Sequence, residues 1–142
     1  MNEMTESQNG ETRIVVLYCQ HSVGNDVDIT SCARSVAGVR VRPAMMPCSS
    51  KVQVSHLLSI LDKEADGVEV IVCPEGCCEL LIGSKRAVKR IEYARGLLDD
   101  IGVGPDRLGI SHGAGLPADE FVKRVAARAE AVMNLEENGE NR

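Results

Sequence analysis

Short apolar runs alternate along the chain with longer segments whose apolar residues recur every three or four positions. The runs at 14–18 and 68–72 are rich in β-branched residues, which predicts strands buried on both faces. Residues 39–43 alternate valine with arginine before a proline, a pattern typical of an edge strand. Residues 108–111 predict a fourth strand.

Helical periodicity fills the intervals between these strands. It predicts helices over 26–37, from Ser49 or Ser50 to Ala65, over 84–101, and from Ala118 onward. Four strand–helix units predict an α/β fold, a single-domain three-layer sandwich with a parallel four-stranded sheet. Because the two interior-type strands belong in the middle, we expect the flavodoxin-like order 2-1-3-4.

The ends and the composition limit the functional classes. Residues 1–12 and 136–142 are polar and predict flexible tails around an ordered body at 13–135. Sixteen basic against twenty-one acidic residues give a net charge of -5, and three aromatic residues build no base-stacking platform, so nucleic acid is not an expected partner. We find no signal peptide and no membrane-length apolar run, so we expect a cytoplasmic protein without membrane insertion.

Six cysteines carry the candidate chemistry. Cys19, Cys48 and Cys73 follow three predicted strands, and Cys78 closes a short loop after Cys73. Because parallel strands end at one rim, these four thiolates are predicted to converge there. Converging thiolates bind soft metals, either zinc or the irons of an iron–sulfur cluster. Cys32 lies on an apolar helical stripe, which favours a core residue.

Several short motifs resemble one protein family. They are Tyr18-Cys19, Pro47-Cys48-Ser49, Ala65-Asp66-Gly67-Val68, the loop Cys73-Pro-Glu-Gly-Cys-Cys78, and a long helix followed by Gly-Val-Gly-Pro-Asp-Arg. Over residues 14–135 the chain resembles the methyl-viologen-reducing hydrogenase delta subunit family, also called hydrogenase iron–sulfur subunits. Gln20-His21-Ser22, Pro74 and Glu79 depart from the family pattern.

The resemblance implies a [2Fe–2S] cluster bound by Cys19, Cys48, Cys73 and Cys78, with Cys77 as an alternative to Cys78. It also implies an electron-transfer role in anaerobic metabolism. Electrons would pass between a hydrogenase or dehydrogenase and a flavin subunit of the heterodisulfide reductase A type. The chain would then be a non-catalytic subunit of an oxidoreductase complex.

Other interpretations compete with this one. The segment from Cys19 through Ser22 and Gly24 faintly resembles the phosphate-binding loop of sugar-transport IIB domains, which would make Cys19 a phosphorylated nucleophile. A structural zinc module is a third possibility. His21 and His112 are candidates to replace or tune a thiolate. A basic helix face, formed by Lys85, Arg86, Lys89, Arg90 and Arg95, is either solvated or a docking patch for an acidic redox partner.

Overall fold

The computed structural model describes residues 12–19, 22–24, 26–36, 38–46, 53–72 and 83–138. Four strands alternate with four helices along these residues, as the sequence pattern predicts. Their bounds are β1 (Thr12–Cys19), α1 (Ile29–Arg34), β2 (Val39–Met46), α2 (Val54–Lys63), β3 (Gly67–Val72), α3 (Gly83–Asp100), β4 (Leu108–His112) and α4 (Ala118–Asn138), with a 3-10 turn (Pro105–Arg107) before β4.

The strands form one parallel sheet in the order β2-β1-β3-β4, which confirms the predicted topology. In the register, Tyr18 of β1 lies opposite Met45 of β2 on one side and Ile71 of β3 on the other. β4 pairs with the outer edge of β3. Because all pairings are parallel, the carboxyl ends of the four strands lie at the same end of the sheet.

Helices cover both faces of the sheet. Val15 of β1 shares a buried cluster with Leu57 of α2 and Ile91 of α3. Its neighbour Val16 belongs to the cluster on the opposite face, with Phe121 of α4. Side chains alternate between the two faces along each strand, so both core layers come from the same β-branched runs. The predicted three-layer sandwich is confirmed.

β2 forms one edge of the sheet, as its sequence indicates. Val39 is buried, whereas Arg40 and Arg42 are exposed. Pro43 lies within this strand, and an edge position is where a proline is tolerated in a sheet. The exposed arginines are of the residue type that discourages edge-to-edge aggregation.

Two helices begin later than the sequence predicts. α1 begins at Ile29 because the Asp28 side chain accepts a hydrogen bond from the Ser31 N–H at 3.2 Å and caps the helix there. α2 begins at Val54, so the prediction of a start after Ser49 or Ser50 was wrong; those serines lie outside the described residues. Val54 is the first residue of the apolar stripe that packs on the core, and packing supplies most helix stability.

The ends of the last two helices complete the fold. α3 ends at Asp100, and Gly102 follows with φ of 81°, the left-handed conformation that a glycine stop provides. α4 extends from Ala118 to Asn138. Within the described ranges, no helix is long and apolar enough to cross a membrane.

Candidate functional site

The carboxyl ends of the four strands form a rim defined by Cys19, Met46, Val72 and His112, which we call the carboxyl rim. The register pairs Cys19 with Met46 of β2. Continuation of the pairing between β1 and β3 brings Cys19 level with Val72, which itself pairs with His112 of β4. The four strand ends therefore stand at one level, with neighbours about 4.8 Å apart.

Cys19 is the predicted ligand that the structure describes, and it is 2% exposed at the end of β1. Cys19 lies two residues after Leu17 in β1, so the two side chains point to the same face of the sheet. Leu17 packs there in the core under α2 and α3. The Cys19 thiol therefore belongs to the buried side of the carboxyl rim that these two helices cover.

The remaining predicted ligands lie outside the described residues. These are Cys48, Cys73, Cys78 and the alternative Cys77. Cys73 is the residue after Val72, and Cys48 is two residues after Met46. Among the described residues, no three His, Cys, Asp or Glu side chains form a group that could hold a metal ion. The four-thiolate site stays a prediction.

Ser22 anchors the chain where it leaves β1, a role that the sequence pattern did not reveal. Its side chain is completely buried. The Ser22 hydroxyl donates to the Cys19 carbonyl at 2.7 Å, and the Ser22 N–H donates to the same oxygen at 2.9 Å. This double contact makes a tight turn after Cys19 and holds its backbone in place. The sequence signal was a serine three residues after a strand-end cysteine, which is compatible with such a turn.

The segments after β1 and β4 are joined across the end of β3. The Gly24 N–H donates to the Leu116 carbonyl at 2.9 Å, and the Leu116 N–H donates to the Ser22 carbonyl at 2.9 Å. The Gly113 N–H donates to the Val72 carbonyl at 2.8 Å. These bonds connect three neighbouring strand ends, so we call them the rim tie. The rim tie holds the ends of β1, β3 and β4 together.

The rim tie also bears on the phosphate-loop interpretation. A phosphate loop needs free backbone N–H groups and hydroxyls directed at the anion. The Ser22 N–H and hydroxyl both donate to Cys19, and the Gly24 N–H donates to Leu116. The donors on which that interpretation relied are therefore used inside the protein, which disfavours Cys19 as a phosphorylated nucleophile.

The described histidines lie away from Cys19. His112 is exposed at the end of β4, where its carbonyl accepts a hydrogen bond from Arg124 at 2.7 Å. β3 separates it from β1, so its Cα lies about two strand spacings, or about 10 Å, from that of Cys19. Val72 occupies the position between them on the same face. His56 is exposed on α2, as expected, and His21 lies outside the described residues.

Cys32 is a core residue, as its helical position predicts. It is 8% exposed and belongs to the cluster between the sheet and helices α1 and α4. Burial raises the pKa of the Cys32 thiol, and the negative charge of Asp28 adds to the increase. A thiol held protonated is a poor nucleophile and a poor metal ligand, so Cys32 is structural.

A buried ionic cluster lies on the α4 side of the sheet, where the sequence pattern predicted none. Glu69 in β3 is 3% exposed. One of its carboxylate oxygens accepts a bond from Arg128 Nε at 2.8 Å, and the other accepts from the Ser111 hydroxyl at 2.9 Å. A Cβ at Gly109 would collide with the Arg128 guanidinium, so this glycine makes room for the pair. The available signal was one acidic residue inside an otherwise apolar interior strand.

The basic residues of α3 do not all serve one surface. Arg95 donates to the Pro105 carbonyl at 3.2 Å and pairs with Asp106 at 3.5 Å, so it ties α3 to the 3-10 turn. Lys89 is exposed, and Arg90 is half-buried. The side chains of Lys85 and Arg86 lie outside the described part of the molecule.

Comparison with known proteins identifies relatives along nearly the whole chain. A family model described as methyl-viologen-reducing hydrogenase, delta subunit, matches residues 14–136. The D-type iron-sulfur subunit of the F420-non-reducing hydrogenase vhu of Methanocaldococcus jannaschii is 29% identical over 126 residues, which are 88% of this chain and 94% of that protein. Its counterpart of the same name from Methanopyrus kandleri is 29% identical over 126 residues, covering 88% of this chain and 96% of that protein.

A second kind of relative is much longer. The A-type subunit of the ferredoxin:CoB-CoM heterodisulfide reductase of Methanosarcina mazei is 26% identical over 126 residues. These residues are 89% of this chain but 16% of that protein. Nearly the whole of this sequence is therefore similar to one segment of a larger polypeptide.

Proposed function

Because the chain belongs to the family of methyl-viologen-reducing hydrogenase delta subunits, we propose that it binds one iron–sulfur cluster and transfers electrons between two partner proteins. The cluster is of the [2Fe–2S] type, and its ligands are Cys19, Cys48, Cys73 and Cys78. One partner is a hydrogenase or dehydrogenase. The other is a flavin subunit of the heterodisulfide reductase A type.

The level alignment of the strand ends at the carboxyl rim is the observation that carries this proposal. Cys19 is buried there, level with Met46 on one side and Val72 on the other. Cys48 and Cys73 follow those two residues closely in the sequence. From this order in the sequence we expect the thiols of Cys48, Cys73 and Cys78 to approach that of Cys19, and four such thiolates would suit the sulfur coordination of iron.

The residues around Cys19 fit the binding of a cluster. When bound, the cluster supplies one-electron transfer. Burial of Cys19 excludes water from its side of the carboxyl rim and lowers the local dielectric, which influences the potential of any bound iron. Ser22 holds the Cys19 backbone by two hydrogen bonds, so the thiol is positioned before the cluster arrives. No acid, base or nucleophile is required for this role.

The match to an A-type heterodisulfide reductase protein supports the choice of one partner. A segment similar to 89% of this chain occurs inside that protein of Methanosarcina mazei. A domain that is fused to a protein in one organism commonly acts beside that protein as a separate polypeptide in another. The hydrogenase names of the first relatives support the choice of the other partner.

Anaerobic purification tests the cluster directly. We expect a coloured protein with two irons and two sulfides per chain, and with a paramagnetic signal after one-electron reduction. Serine at Cys19, Cys48, Cys73 or Cys78 should each abolish the visible absorption. Cys32→Ser is the matched control and should keep it, since Cys32 lies in the core.

Several experimental outcomes would contradict the proposal. Full iron content in a serine variant of Cys19, Cys48 or Cys73 would refute the ligand set. Zinc in place of iron would favour the structural zinc module. Loss of colour in Cys77→Ser with retention in Cys78→Ser would exchange those two ligands. For the partners, the reduced protein should reduce the flavin of an isolated heterodisulfide reductase protein of the A type, and failure to do so would exclude that acceptor.

A further inference from the structure

Four exposed residues form a row on α3, and we call them the α3 stripe: Lys89, Tyr93, Gly96 and Asp100. They are spaced by four, three and four residues, the interval at which side chains share one face of a helix. Tyr93 is 64% exposed, which is unusual for a large aromatic side chain. The other three are also exposed. The core uses the opposite side of α3, through Ala87, Ile91, Ala94 and Leu98.

Gly96 has no packing role among the residues that the structure describes. It lies inside the 18-residue helix α3, and a Cβ built on it meets no atom of the described residues within 4 Å. Glycine within a helix is less stable than alanine, so an alanine here would stabilise the isolated chain. A helix position without a side chain allows the close approach of a second helix. A contact with another molecule would account for this cost.

The charges on the α3 stripe have opposite signs at its two ends. Lys89 lies toward the N-terminus of α3 and Asp100 at its C-terminus. Neither of them forms an ion pair with another residue in the described part of the chain. The pair Lys89 and Asp100 has the same midpoint along the helix as the pair Tyr93 and Gly96. An antiparallel copy of the stripe would therefore satisfy both pairs at once.

We propose that the α3 stripe is a docking surface for a second copy of this chain. The two α3 helices pack antiparallel about a two-fold axis, so each contact occurs twice. Tyr93 of each copy packs beside Gly96 of the other, where the missing side chain leaves room for the ring. Lys89 of each copy pairs with Asp100 of the other. The antiparallel arrangement also aligns the two helix dipoles favourably.

A second copy explains the α3 stripe better than an unrelated protein does. A different partner needs no symmetry in the surface that it contacts. Here both the charges and the shapes are complementary about one midpoint, which is the requirement of a two-fold interface. No residue of the stripe lies at the carboxyl rim, so the dimer does not depend on the proposed cluster.

Charge reversal tests the arrangement in the full chain, kept reduced and anaerobic. Sedimentation equilibrium should give the mass of two copies at high protein concentration. Lys89→Asp places two like-charge pairs in the interface and should weaken association about tenfold. The double variant Lys89→Asp/Asp100→Lys restores opposite charges and should return within about threefold of wild type. Lys63→Asp, an equal charge change on an exposed residue of α2, is the control and should have no effect.

Gly96→Leu separates association from folding. Because the Cβ position is open, the variant should raise the melting temperature of the dilute chain, by about 3 °C. It should also abolish association, because the leucine blocks the approach of the second helix. The mass of one copy for the wild-type chain at about 0.5 mM would overturn the proposal, since this implies a free energy of association weaker than about 4 kcal/mol. Failure of the double charge reversal to restore association would overturn it as well.

Discussion

Replacement of Arg128 by methionine removes the cation that neutralises the buried carboxylate of Glu69. The two side chains are 19% and 4% exposed, and Arg128 Nε lies 2.8 Å from Glu69 Oε1. After the replacement, Glu69 keeps the Ser111 hydroxyl as a partner and has little access to water. The bond from Arg128 Nη1 to the Asp106 carbonyl, 2.8 Å long, is lost too.

The expected decrease in the free energy of unfolding is large, because the buried charge of Glu69 would lose its counterion. Breaking a buried ion pair on one side costs about 3–5 kcal/mol. Water reaches part of the Arg128 side chain, which places the expected loss near the lower limit, at about 3 kcal/mol. The double variant Glu69→Leu/Arg128→Met removes both charges and fills the site with apolar atoms. Its free energy of unfolding should lie within about 1 kcal/mol of the wild-type value.

Equilibrium denaturation in urea, followed by far-ultraviolet circular dichroism under reducing conditions, measures these differences. Arg124→Met is the matched control, because Arg124 lies one turn away on α4 and donates to an exposed carbonyl. We expect it to lose no more than about 1 kcal/mol. A loss below about 1 kcal/mol for Arg128→Met, or a double variant as unstable as the single one, would refute the buried-charge argument.

Two further predictions concern the carboxyl rim and α1. Gly113→Ala should destabilise the fold by about 2 kcal/mol in the same denaturation assay. The reason is that its Cβ would lie 2.6 Å from the Leu116 side chain and 3.0 Å from the Ser22 carbonyl. Wild-type stability of this variant would contradict the tight packing. Cys32 should react with iodoacetamide only after unfolding, and its contribution to stability should fall as the pH rises. Burial raises the pKa of the Cys32 thiol in the folded chain. As the pH rises, the thiol of the unfolded chain therefore ionises first, which favours unfolding. The contribution of Cys32 to stability is complete below the ordinary thiol pKa and falls above it. Equal labelling of folded and unfolded protein, or a Cys32→Ala variant with the same alkaline loss of stability as wild type, would refute the assignment.

Local sequence patterns predicted the structure correctly where a single requirement, burial in the core or exposure to solvent, determined the pattern. The alternation of valine and arginine in β2 predicted an edge strand, and the structure places Arg40 and Arg42 in solvent at that edge. The apolar stripe around Cys32 predicted a core residue, which it is. The start of α2 was predicted wrongly. A serine is a good cap anywhere, but the helix begins where Val54 first reaches the core.

The residues that sequence patterns did not reveal act through partners far along the chain. Glu69 and Arg128 are 59 residues apart, and no local spacing relates them. Ser22 was considered only as a donor to an anion. Its hydroxyl contacts Cys19 three residues away, but its carbonyl contacts Leu116, which comes from the other end of the domain. Such contacts exist only when β1, β3 and β4 have been brought together.

The sequence alone therefore determined the order of the elements, the parallel sheet and the place of Cys19 at the carboxyl end of β1. Local periodicity is sufficient for this, because apolar spacing decides which faces are buried, and right-handed crossovers leave few topologies. The tertiary structure alone decided the strand register that levels Cys19 with Met46 and Val72, and the partners of Glu69. Both depend on backbones that approach each other from distant parts of the chain, where one residue of shift changes every contact.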